Sequence, residues 1–229
     1  MAIDRTLTVA QIVLDHPECA RVFQDHRIDF CCRGGVAVDE ACTRVGADVA
    51  AVSSELERAV DERRGAAAPD PRSLPTAALV AEIVARHHAY LRRALPFVQP
   101  LADKVGRVHG DHDPRLRELS AAVHELADML TPHLDEEEQV LFPALAQRDP
   151  DRALVRRELQ AMHTDHLAVG AQLAKIRALA SDFVTPEWAC TSYRTLLSEL
   201  ASLEGDLLRH VHIENHVLMP RFAAPMQAA

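Results

Sequence analysis

The sequence predicts an all-α protein: an up-down four-helix bundle preceded by a small helical module that carries cysteines. Three observations predict it. Apolar residues make up 48% of the chain and aromatics only 4%, with eight glycines and a single asparagine, Asn215. That balance favours helices over sheets. Beyond residue 75, apolar residues recur at helical spacing in long stretches separated by short loops, which implies antiparallel neighbours. Finally, one pattern occurs twice. His133-x3-Glu137 runs into Val140-Leu141-Phe142-Pro143, and His210-x3-Glu214 runs into Val217-Leu218-Met219-Pro220, both ligand types recurring 77 residues on (133 to 210, 137 to 214). His88 and His166 keep nearly the same offset, at 78 residues.

The first module covers residues 1–64. Thr8 reads as the N-cap of a helix through Leu14. Further helical segments run over roughly 17–27, 36–45 and 48–63, the last entered at Asp48. Arg33-Gly34-Gly35 turns the chain between them. Residues 65–75, GAAAPDPRSLP, lack apolar periodicity and read as a linker. The bundle covers residues 76–224. Its first helix spans about 76–108, with Pro96 and Pro100 expected to kink or divide it. Gly110-Asp111-His112-Asp113-Pro114 is a loop, and the second helix covers about 115–147. The third starts near Asp149-Pro150-Asp151 and ends near Ser181. Thr185-Pro186-Glu187 offers an N-cap, a Pro at N1 and an early acid for the fourth, about 186–222.

The net charge of −9 gives a nucleic-acid role no electrostatic support. No apolar run has the length of a signal peptide or a membrane helix, so the chain is expected to be cytoplasmic, with no membrane partner. Thiols stay reduced in that compartment, and five cysteines are an odd number, which argues against a disulfide framework.

On a helix, residues i and i+4 share a face, so each His-x3-Glu offers a nitrogen and a carboxylate in one direction. With His88 and His166 the set becomes His88, His133, Glu137, His166, His210 and Glu214. Six donors overfill one tetrahedral zinc. Two metals fit, with bridging carboxylates and terminal imidazoles. Imidazole and carboxylate without thiolate suit iron or manganese, and iron is the expectation. Neutral ligand histidines need acceptors for their second ring nitrogen; Asp206, one turn before His210, and Asp165, beside His166, are the candidates.

The other histidines read differently. His212 and His216 turn away from the core and are expected at the surface. His87 reads as peripheral, and His109, His112 and His124 as solvated. His124-Glu125 lacks the second histidine of a zinc protease, since Asp128 stands there. His163, three residues before His166, could approach the same face. Asp29-Phe30-Cys31-Cys32-Arg33-Gly34-Gly35 places two thiols beside an arginine in a glycine turn. Adjacent cysteines rarely bridge each other without strain. Thiolate character and access are expected there, open to redox exchange, metal capture or docking, with burial as two small apolar side chains the alternative. Cys19, Cys42 and Cys190 sit in apolar contexts and are expected in the core.

Together these residues resemble the repair of iron centres family, di-iron, hemerythrin-like proteins of bacterial stress responses. The resemblance covers nearly the whole chain. Its marks are the Asp-aromatic-Cys-Cys stretch at Asp29–Cys32 followed by glycine, and the run Glu137-Glu138-Gln139-Val140-Leu141-Phe142-Pro143. Pro132 directly before His133, and Met219 in place of the usual Phe, depart from the pattern without removing a ligand. The resemblance implies a hemerythrin-like bundle holding two non-haem iron ions, oxo- or hydroxo-bridged with bridging carboxylates, on the six residues named above. It implies repair of iron–sulfur clusters damaged by nitric oxide or oxidants, by iron donation or nitric oxide reduction, with Cys31 and Cys32 as a redox or iron relay. Damaged iron–sulfur proteins are the implied partners, nitric oxide or dioxygen the small-molecule ligand, and a homodimer the implied assembly. The alternative is a hemerythrin-like dioxygen or nitric oxide binding or sensing protein. It would need another imidazole near His166, and the i±4 positions are Met162 and Gly170.

Overall fold

The computed structural model describes residues 3–62 and 70–222. Among the described residues every regular element is helical, apart from one isolated bridge between Thr8 and Ala37. The edges of the expected modules at 63–64 and 223–224, and residues 65–69 of the expected linker, lie outside the described residues. The chain divides into two compact units, Met1–Pro75 with Leu208–Ala229, and Thr76–Leu207.

In the first unit, α1 (Val9–Asp15), α2 (Cys19–Asp25), α3 (Val38–Val45) and α4 (Val49–Glu62) enclose a small core. Thr8 caps α1 as its residue type dictates: its hydroxyl accepts from Gln11 N while the Gln11 side chain accepts from Thr8 N, a capping box. Gly46 ends α3 in the left-handed conformation at φ 71°. Val9, Ile12, Cys19, Phe23, Phe30, Val38, Cys42, Val52 and Leu56 form the core, joined by Val211 from the C-terminal segment. The segment between α2 and α3 is pinned to α1. Val9 N donates to the Val36 carbonyl and Ala10 N to the Gly34 carbonyl, both at 2.9 Å, which satisfies two donors of the first helical turn. Gly34 is required by close approach, since a Cβ there would lie 2.4 Å from the Phe30 carbonyl oxygen.

In the second unit, α5 (Thr76–Ile83) leads into α6 (Ala89–His109); α7 (Arg115–Glu136), the short α8 (Phe142–Leu145), α9 (Arg152–Leu179) and the first turns of α10 (Thr191–Ile213) follow. The faces are set by helical spacing. Leu91, Val98 and Val105 on α6, Leu116, Leu119, Val123, Leu126 and Leu130 on α7, Leu159, Met162, Val169 and Leu173 on α9, and Leu196, Leu200, Leu203 and Leu207 on α10 are all buried. The architecture is thus the expected all-α bundle with a small helical N-terminal module.

Two expectations are corrected, and one departure from the family pattern is accommodated. Pro96 and Pro100 lie inside an unbroken α6. Both are on its exposed face, where the carbonyls they leave unbonded meet water. Pro132 sits likewise on the exposed side of an unbroken α7. The fourth helix starts at Thr191, because Pro186–Ala189 closes a separate turn (Ala189 N to Pro186 O, 3.0 Å). The Arg194 guanidinium then takes the Ala189 carbonyl at 2.9 Å and the Glu187 carbonyl at 3.2 Å, occupying acceptors that a longer helix would use.

Candidate metal centre

The expected ligands are polar residues at apolar positions of the core stripes. His133 and Glu137 continue the α7 stripe after Leu130, and His166 stands between Met162 and Val169 on α9. His210 and Glu214 continue the α10 series, and His88 precedes Leu91 on α6. All six are buried, none above 6% exposed.

Three of them sit on a backbone irregularity that sequence reasoning missed. Val84–His88, Glu137–Leu141 and Glu214–Leu218 are π turns, in which Ala89 N donates to Val84 O, Phe142 N to Glu137 O and Met219 N to Glu214 O. Such turns insert one residue into a helix and concentrate at functional sites. The last two lie at the repeat offset (137 to 214), each just before a proline, Pro143 or Pro220, that cannot donate to the preceding turn.

Within the unit Thr76–Leu207, the donor atoms of His133, Glu137 and His166 all lie within 4.8 Å of one another. His88 Nε2 is 3.4 Å from Glu137 Oε2, and His133 Nε2 is 3.4 Å from Glu137 Oε1. The outward ring nitrogens are held by acids: His88 Nδ1 donates to Glu138 Oε1 at 2.9 Å, and His133 Nδ1 to Asp165 Oδ2 at 3.2 Å. With the proton on Nδ1, each Nε2 turns a lone pair toward the Glu137 carboxylate. Two acceptors facing each other at that distance in a dry core call for a cation between them. The donor set therefore fits a metal. Burial alone would raise the Glu138 carboxyl, but hydrogen bonds from His88 and Arg92 outweigh it and hold the group below the usual carboxylate range. Glu138 thus stays an anionic acceptor. Phe142 covers the His88 ring at 5.6 Å.

Within the other unit, His210 Nε2 lies 2.9 Å from Glu214 Oε1. The Cys31 and Cys32 sulfurs are 3.5 Å apart, and Asp29 Oδ1 accepts from the Cys31 and Cys32 amides at 3.1 and 2.8 Å. Asp29, Cys31 and Cys32 also bring their donor atoms within 4.8 Å of one another. The thiolate expectation is overturned at Cys31. The hydrogen bond with Cys32, burial and the Asp29 charge push its thiol well above the ordinary range, and the thiol is buried. Of this pair, Cys32 is the partly accessible one.

Four histidine expectations change. His212 is buried and donates from Nδ1 to the Phe30 carbonyl at 3.1 Å; burial and nearby His216 push it down to about 3, so it is neutral. His216 Nε2 and Asn215 Nδ2 both donate to the Cys31 carbonyl at 2.9 Å. The cysteine turn is therefore fastened to the segment bearing His210 and Glu214. His87 is buried and donates to Asp206 at 3.0 Å, so Asp206 serves His87 rather than His210. His109 is half-buried against the Cys190 sulfur at 3.1 Å, and Cys190 is exposed rather than in the core. Cys19 and Cys42 are in the core as expected, and burial pushes the Cys19 thiol up to about 12. The Nδ1 of His163 has no hydrogen-bond partner among the described residues, and His163 joins none of the donor groups.

Residues 79–223 match the hemerythrin HHE cation binding domain, and residues 5–60 match a domain of unknown function, DUF542. The iron-sulfur cluster repair protein YtfE of Yersinia pseudotuberculosis serotype O:1b is 31% identical over 95% of this chain and 96% of its own length. YtfE of Yersinia pestis strain Pestoides F is 30% identical over the same shares. The chain belongs to the repair of iron centres family. The doubled His-x3-Glu frame lies in the hemerythrin-type part of this family chain, and the vicinal cysteines lie in the DUF542 part. No helix among the described residues is long and apolar enough to cross a membrane.

Because Glu138 fixes the His88 tautomer, the variant Glu138→Gln is expected to weaken metal binding by roughly 10–100-fold, as losing an outer hydrogen-bond partner of a metal histidine does. Competition against a chelator reads the change directly. Unaltered affinity would show that the Glu138 contact is incidental.

Proposed function

We propose that the protein repairs iron–sulfur clusters damaged by nitric oxide or oxidants. In this reading His88, His133, Glu137, His166, His210 and Glu214 would hold two non-haem iron ions. The single observation that carries it is the buried Glu137 carboxylate facing two imidazole lone pairs, in a chain 31% identical to a protein named for iron–sulfur cluster repair. When bound, the iron pair supplies ferrous iron and a reducible place for nitric oxide.

The residues divide the remaining work. Glu138 and Asp165 keep protons on the outward nitrogens of His88 and His133, leaving the inward nitrogens as donors. Leu130, Met162 and Phe142 are buried apolar neighbours in the same stripes and keep water out. Asn215, His212 and His216 hold the turn of Cys31 and Cys32, positioning Cys32 as the accessible thiol for a client or an electron donor.

The test mixes an aconitase-type enzyme with a damaged cluster and the ferrous protein. Wild type is expected to restore activity several-fold beyond both an equal amount of ferrous salt and the Glu137→Leu/Glu214→Leu variant. Equal recovery in the three arms would defeat the proposal.

A further inference from the structure

At the loop end of the bundle, among residues that the proposed function does not use, a thiol, an imidazole and an aromatic cleft come together. Cys190 immediately precedes α10; its carbonyl accepts from Arg194 N at 3.0 Å, and its sulfur is exposed. His109 is the last residue of α6, and its Nε2 lies 3.1 Å from that sulfur. The His109 ring packs against Trp188 at 5.7 Å and Tyr193 at 6.3 Å between centroids. Those two rings also line a cleft of about 430 Å³ with His112, Arg115 and Val184. Trp188 is 41% exposed and Val184 66% exposed, so the cleft opens to solvent with apolar surface at its mouth.

The chemistry of this group differs from that of the other thiols. Cys19, Cys31 and Cys42 are buried, so small reagents do not reach them. At Cys190 the imidazole is within reach of the thiol proton, and a sulfur at a helix N-terminus meets the positive end of the helix dipole. A nucleophile, a base in contact with it and an adjoining concave surface are the parts of a covalent thiol site. The cleft suits a small peptide-like molecule: Trp188 and Val184 offer apolar contact, while His112 and the Arg115–Asp113 pair offer polar groups of both signs.

We propose that Cys190 and His109 form a thiol–disulfide exchange site for low-molecular-weight disulfides, separate from the metal centre. His109 Nε2 takes the Cys190 proton, and the thiolate attacks one sulfur of the small disulfide. A Cys190 mixed disulfide forms, the original sulfur–sulfur bond breaks, and the second sulfur leaves as a thiolate that recovers the proton from His109. The incoming disulfide is the oxidant, so the electrons balance.

The experiment treats the full-length protein with oxidised glutathione at neutral pH and follows intact mass and peptide maps with time. One glutathione is expected on Cys190, at least tenfold faster than on a free-cysteine peptide or on Cys32. Two variants, His109→Gln and His109→Ala, are expected to slow it at least tenfold, positioned general bases contributing 10²–10⁴-fold in favourable cases. Trp188→Ala, which leaves the Cys–His pair in place, is expected to slow glutathione addition more than addition of a two-carbon disulfide. Reaction of Cys190 at the peptide rate in wild type, or an unchanged rate in a folded His109 variant, overturns the proposal.

Discussion

Replacing Glu137 and Glu214 together with leucine is expected to abolish metal binding while making the metal-free protein more stable, by about 1–4 kcal/mol. Both carboxylates are almost completely buried, at 2% and 0% exposed. Their polar neighbours in their own units are imidazoles: His88 and His133 at 3.4 Å for Glu137, and His210 at 2.9 Å for Glu214. A buried carboxylate without a cation carries a desolvation cost of several kcal/mol, and apolar side chains of similar size escape it. Leucine also extends stripes that already read Leu130 then Leu134, and Leu203 then Leu207. Function and stability therefore pull in opposite directions at these two positions, as they do where a site is built into a core. Metal content by elemental analysis and urea unfolding of the chelator-treated proteins read the two effects separately. A variant that loses metal and also unfolds more easily than the metal-free wild type would show that the carboxylates stabilise the bundle without a metal, and the fit to a cation would fail.

Much of this was legible in the sequence. The apolar stripes set the helices, and histidines and glutamates at stripe positions marked polar groups that a core tolerates only with compensation. Thr8 was a recognisable cap and caps as expected, whereas the third helix is capped by Asp151, which accepts from Ala153 N and Leu154 N, so it starts after Pro150 and not with Pro150 in its first position. What stayed hidden has physical causes. A π turn adds one residue and rotates everything beyond it by roughly 100°, yet barely disturbs the apolar pattern, so the turns at Val84–His88, Glu137–Leu141 and Glu214–Leu218 left no trace. Pairing across helices cannot be read from spacing along one helix. Asp165 was sought as a partner near His166 and instead serves His133, and Glu138 was passed over beside the ligand Glu137. His212 does point away from the bundle stripe, but Phe30 and the cysteine turn cover that side, so angle alone misjudged its burial. Cys190 was misplaced because it was counted inside a helix that begins one residue after it.

The second large effect lies at the buried ion pair between α9 and α10. Truncating Glu204 to alanine is expected to lower stability by about 3–5 kcal/mol, the usual cost of leaving one half of a buried ion pair. Arg177 on α9 donates from Nε to both Glu204 oxygens, at 2.9 and 3.2 Å, and its Nη2 bonds the same carboxylate. The two side chains are only 15% and 5% exposed, so water cannot replace the lost partner. The same guanidinium lies 4.9 Å from the Phe183 ring centroid and 3.7 Å from the Asp182 carboxylate. That matters because Ser181, Asp182 and Phe183 hold φ of 50°, 55° and 62°, a left-handed run costing roughly 1–2 kcal/mol per residue for non-glycine side chains. Arg177 thus fixes α10 against α9 and holds the strained exit from α9 in place. Pairing Arg177→Met with Glu204→Leu removes both charges at once and is expected to recover most of the loss, since no charge is then left buried alone. Urea midpoints of the single and double variants form the cycle. A Glu204→Ala variant within about 0.5 kcal/mol of wild type, the range of an ordinary surface change, would mean that solvent reaches Arg177 and that the exit turn stands without it.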